Sequence, residues 1–124
     1  MIELGSAFTC CFHFPNVFVL LFLCPARPES PTIIAVETSV SEALVRWKFG
    51  DDGGLELTAL RLQYKESSEN RWQEIQIKPP NRIKYPIMDL KPNTNYKFRI
   101  LATNSLGSSL PSSIYLAKTS NLGR

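Results

Sequence analysis

Four side chains in this sequence could supply a thiolate nucleophile, an imidazole base or a zinc ligand: Cys10, Cys11, His13 and Cys24. All four fall in the first 24 residues, and from Pro25 onward the chain has neither cysteine nor histidine. A Ser-His or Cys-His pair and an ordinary zinc site are therefore excluded from the rest of the chain. An enzyme built there would have to rely on carboxylates, lysines or a borrowed cofactor, so the chain reads as non-enzymatic and without a cofactor or metal. Asp51 and Asp52 stand side by side before Gly53 and Gly54. Calcium takes about six to eight oxygen ligands, so this pair is more simply a turn. What remains is non-covalent chemistry, carried by aromatic rings and cations on a scaffold.

The scaffold must hold those groups on defined faces, and its signal is a period of two. Thr32–Glu37 (TIIAVE) is rich in β-branched residues and predicts a first strand. Ala43–Phe49 alternates Ala43, Val45, Trp47 and Phe49 against Leu44, Arg46 and Lys48, as a half-buried strand requires. Residues 50–54 are a turn cluster. Leu57–Lys65 sets Leu60, Leu62 and Tyr64 against Arg61, Gln63 and Lys65. Trp72–Ile77 follows a polar loop, and Lys78-Pro79-Pro80-Asn81 must be a connection. Ile83–Met88 carries Pro86 and is expected on a sheet edge. Asn95–Thr103 places Tyr96, Phe98, Ile100 and Ala102 inward, and Ile114–Lys118 closes the series. Seven strands at intervals of about 8–12 residues, with turn signals between them and no helical stretch, predict an all-β antiparallel sandwich or barrel.

The chain has 124 residues, 44% of them apolar and 20% charged, which suits one domain with a modest core. A formal charge of +3 is too small and too dispersed to imply nucleic acid. Residues 1–26 are a different kind of sequence, with Glu3 as their only charged side chain. The apolar run Val17–Cys24 is too short for a transmembrane helix, which needs about 20 residues. It has the length of a signal-peptide core, and Cys24-Pro25-Ala26 offers a small-x-small site before Arg27. The absence of Lys or Arg before the run leaves open an unstructured apolar leader. The expected organisation is a leader or signal peptide over 1–26, a linker over 27–30, one domain over 31–120 and a tail over 121–124.

The stretch Leu90-Lys91-Pro92-Asn93-Thr94-Asn95-Tyr96 is where the chain passes from one sheet to the other. Leu90 would seal the core end, Asn93 would take the tight turn, and the Tyr96 hydroxyl would satisfy a backbone group upstream. This stretch resembles the fibronectin type III family. So do Trp47, the turn at 52–54, Leu60-x-Leu62-x-Tyr64, Phe98-x-Ile100-x-Ala102-x-Asn104, and Gly107 with Pro111-Ser112. The resemblance covers about Pro31 to Thr119 and implies a seven-stranded immunoglobulin-like sandwich. Its core would include Trp47, Leu62, Tyr64, Leu90, Tyr96, Phe98 and Ile100. Within the family, the chain is similar to modules of neural immunoglobulin-superfamily adhesion receptors.

That resemblance implies a protein-binding or spacer module of an extracellular, cell-surface protein. Alternatives are an intracellular module of the muscle giant-protein type and a truncated isoform without independent function. A cytokine-receptor-like domain would favour paired disulfides and a Trp-Ser-x-Trp-Ser motif, which the chain lacks. By alternation Arg61, Gln63, Lys65, Lys97, Arg99 and Leu101 point outward on one sheet. The family's register adds Ile114 and Leu116 and turns Tyr115 and Ala117 inward. The partner-binding face expected from this is Arg61, Lys65, Lys97, Arg99, Leu101 and Leu116. It suits a protein partner such as a cell-surface ectodomain, or an anionic glycan such as heparan sulfate.

Overall fold

A computed structural model describes residues 25–121. Alternation produces the strands. β2 (Ala43–Lys48) buries Ala43, Val45 and Trp47. β3 (Ala59–Glu66) buries Leu60 and Leu62, and β6 (Asn95–Asn104) buries Tyr96, Phe98, Ile100 and Ala102. β1 (Thr32–Thr38), β2 and β5 (Lys84–Ile87) form one antiparallel sheet in the order β1-β2-β5. The second sheet runs β4 (Gln73–Gln76), β3, β6, with β8 (Tyr115–Lys118) also on β6. The two sheets enclose a single apolar core. β5 lies at a sheet edge, where Pro86 leaves no ladder partner short of a donor.

The seven expected strands are joined by a two-residue β7 (Gly107–Ser108). It pairs with Thr103–Asn104 while β8 pairs with Asn95–Phe98, so one edge of β6 is covered in two pieces. Between them Pro111 has no N–H to give. Ser109 and Ser112 bridge the gap. Their amides donate to the carbonyls of Ala102 and Ile100 at 2.7 and 2.9 Å. Their hydroxyls accept from the amides of the same two residues at 3.1 and 3.0 Å. Both serines are buried, so Ser112→Ala leaves the Ile100 amide without a partner. We expect it to cost about 1–3 kcal/mol, read as a lower urea midpoint with unchanged slope.

The corner between the sheets is built as its residues suggest. The Lys91 amide donates to the Tyr96 hydroxyl at 2.9 Å. Asn93 takes a φ of 51° and Asp89 one of 61°, both in the left-handed region, which Asn and Asp adopt more readily than other side chains. Leu90 is buried beneath the corner. Tyr64 packs against the core with its ring 6.5 Å from both Tyr96 and Phe98. Burial first, then the neighbouring Tyr96 and Asp89, raises the Tyr64 pKa. The folded state therefore holds this proton more tightly than the unfolded chain does. Its contribution is intact below about pH 10 and is lost as pH rises through the raised value. Urea midpoints measured from pH 9 to 11 should fall, and Tyr64→Phe should flatten the fall.

Residues 27–30, expected as a linker, belong to the fold. The Ala26 amide donates to the Gly53 carbonyl at 2.9 Å and the Glu29 amide to the Asp51 carbonyl at 2.8 Å. The buried Asn104 amide group donates to the carbonyls of Ala26 at 2.7 Å and Asp52 at 2.9 Å. This strap has no period of two, which is why it read as a linker: its partners are turn carbonyls and not a ladder. Gly53 allows the approach, since a Cβ there would sit 1.9 Å from the Ala26 oxygen. Cleavage before Arg27 would remove the Ala26 end of the strap. The leader itself, residues 1–24, lies outside the described residues, as do residues 122–124 of the expected tail.

Candidate contact face

β3 and β6 pair over eight residues, which stacks their outward side chains in rows. Gln63 lies beside Arg99, Lys65 beside Lys97 and Arg61 beside Leu101. β4 adds Glu74 beside Gln63, and β8 adds Leu116 beside Lys97. Four strands thus present one outer face on a rigid sheet.

Trp72 is its centrepiece. It precedes β4 and lies in phase with Glu74, so its ring falls on the outer face. The Arg99 guanidinium carbon sits 4.1 Å from the ring centroid and the Lys65 Nζ 5.0 Å from it. Such cation–ring contacts contribute about 0.5–1 kcal/mol each where exposed and more where desolvated. A chain of polar contacts fixes the arginine. Arg99 Nε donates to Gln63 Oε1 at 2.6 Å, and Gln63 Nε2 donates to Glu74 Oε1 at 2.9 Å. Glu74 also pairs with Arg61 at 3.7 Å. Lys65 Nζ donates to the Glu69 carbonyl at 3.0 Å.

The expected face residues divide into three groups. Lys65 and Arg99 come together on Trp72, Lys97 lies beside Lys65 in register, and none of the three forms an ion pair among the described residues. Leu116 is 67% exposed and Ile114 48%, while Tyr115 and Ala117 pack against the core. Arg61 is neutralised by Glu74 and reaches Ser108 Oγ at 3.3 Å. To do so its side chain crosses β6. That accounts for the one departure: Leu101, expected to point outward into solvent, is only 8% exposed, because Arg61 lies over it. Trp72, expected at the start of a strand, lies just before β4. Counting back in twos from Gln76 through Glu74 puts it on the face, and the short 67–71 loop brings it opposite Lys65.

Other candidates reduce to structure. Asp51 and Asp52 each accept a hydrogen bond from the amide two residues on, at 2.8 and 2.9 Å, so both carboxylates stabilise the turn. Among the described residues no group of His, Cys, Asp or Glu is arranged to hold a metal ion. Trp47 is buried, and its Nε1 donates to the Arg82 carbonyl at 2.8 Å. Among the described residues no helix is long and apolar enough to cross a membrane.

A family model described as "Fibronectin type III domain" matches residues 26–118. The human cell adhesion molecule DSCAM is 35% identical over 92 residues, covering 74% of this chain and 4% of its own length. The chain therefore spans a small fraction of the relatives it matches. Among solved structures, chicken CNTN1 FN1–FN3 domains superpose with a TM-score of 0.67 at 27% identity. They cover 77% of this chain and 33% of their own. A titin crystal structure gives a TM-score of 0.60 at 25% identity, covering 78% of this chain and 32% of its own.

Proposed function

Because the chain belongs to the fibronectin type III family and is homologous to a domain of cell adhesion molecules, we propose that it is a non-enzymatic binding module of a cell-surface protein. Its contact face is the outer surface of β3, β6 and β8. One observation carries this reading: exposed Leu116, in register with Lys97, and exposed Ile114 share a face with Lys65, Lys97 and Arg99, which have no carboxylate partner among the described residues. Interface cores need apolar anchors, and unpaired cations around them steer and select an acidic partner. Most of the binding energy would come from that apolar centre and from Trp72 with Arg99, since Trp and Arg are frequent hot spots. The mechanism is rigid display: the core keeps its shape and the face meets its partner without rearrangement.

A second reading, an intracellular module of the muscle giant-protein type, is supported by the likeness to domains A168–A170 from titin. It is served equally well by a domain that folds without disulfides. Expression of all 124 residues in secreting animal cells separates the two. The surface reading expects the domain in the medium, and there it should bind at least one member of a panel of cell-surface ectodomains. A product confined to the lysate, or one that binds no ectodomain, would favour the intracellular or spacer role.

A further inference from the structure

We infer that Arg99, stacked on Trp72, is a preformed recognition site for a side-chain carboxylate of a protein partner. The inference rests on the contact face proposed above and names its chemistry. The guanidinium lies 4.1 Å from the Trp72 centroid, and Nε is committed to Gln63 at 2.6 Å. These two contacts fix the plane and the rotation of the group. Its terminal nitrogens, Nη1 and Nη2, make no hydrogen bond or ion pair among the described residues. They form a two-donor fork of the spacing that a carboxylate accepts through both oxygens. Arg99 and Trp72 are both half-buried, so the fork works in a medium less polar than bulk water. The entropy of ordering a long side chain has already been spent in the free protein.

The surroundings select a protein over a sulfated glycan. Glu74 lies in the same network and cancels the charge of Arg61, which breaks the run of cations that a polyanion would follow. On the other side, Leu116 in register with Lys97 offers apolar contact, which a glycan chain has no side groups to fill. The fitting occupant is a short acidic segment carrying aliphatic residues next to its carboxylates.

The test is an NMR titration of the full chain with three probes. The first is the blocked tetrapeptide acetyl-Leu-Asp-Glu-Leu-amide, the second its Asn/Gln counterpart, and the third a heparin-derived hexasaccharide. The acidic peptide should move the Trp72 indole N–H and Arg99 Nε–H resonances together, and the amide peptide should not. Arg99→Lys keeps the charge but loses the fork, and should weaken the acidic peptide about tenfold. Absence of movement at these two groups, equal response to the amide peptide, tighter binding of the hexasaccharide, or an unaffected Arg99→Lys variant would each overturn the inference. Failure here is distinguishable from failure of the face itself. A partner whose binding falls with Leu116→Asp but not with Arg99→Lys would leave the face standing and remove the carboxylate site.

Discussion

Phe98→Ala is expected to lower the unfolding free energy by about 3–5 kcal/mol. Phe98 is fully buried at the centre of β6. Its ring lies 6.5 Å from Tyr64 at an interplanar angle of 25° and 6.3 Å from Tyr96 at 37°. Truncation would lose the transfer energy of the ring, leave a cavity and dismantle this aromatic cluster. A domain of this size has only about 5–15 kcal/mol to lose, so the variant should be partly unfolded at body temperature. Function would suffer with it, because Phe98 stands between Lys97 and Arg99 on the same strand. The neighbouring Arg99→Ala variant touches no core atom. It should keep its unfolding free energy within about 1 kcal/mol of wild type while losing partner binding, which separates scaffold from site. Equal stability losses for the two variants would contradict this division.

Asn104→Ala is expected to cost about 2–3 kcal/mol. Its side chain is buried and makes three hydrogen bonds, two given to the Ala26 and Asp52 carbonyls and one accepted from the Leu106 amide at 2.8 Å. Alanine would leave all three backbone groups short of a partner. The loss should couple to the strap. A chain beginning at Pro31 lacks Ala26 already, so adding Asn104→Ala to it should cost less than in the longer chain. A double-mutant cycle on chemical-denaturation midpoints reads that coupling. Simple additivity would mean that the strap and Asn104 act independently, contrary to their 2.7 Å contact.

Both predictions show where the sequence is informative. Strict alternation through β3 and β6 makes the fold and the outward rows legible, because a period of two permits only two assignments of faces. It places Arg61, Lys65, Lys97 and Arg99 on one face from sequence alone. Alternation cannot report what one outward side chain does to another. Leu101 points away from the core yet is covered, because Arg61 reaches across the strand to Ser108. The strap over 26–30 and the split edge at Pro111 escape the same reading. Both are held by backbone amides donating to turn carbonyls and serine hydroxyls, which leave no periodic trace. Trp72 lay just outside the clear pattern, on the far side of a loop whose length decides what the ring meets.

We propose that the outer face of β3, β6 and β8 is where this module meets its partner. The most direct measurement is the affinity of an ectodomain binder for wild type, Leu116→Asp and Met88→Asp, the last an exposed apolar position just past β5 of the opposite sheet. We expect Leu116→Asp to weaken binding at least about thirtyfold, the scale of a truncated hot spot, and Met88→Asp to leave it unchanged. Undiminished binding by Leu116→Asp, or loss through Met88→Asp alone, would contradict the assignment and move the contact to the other sheet.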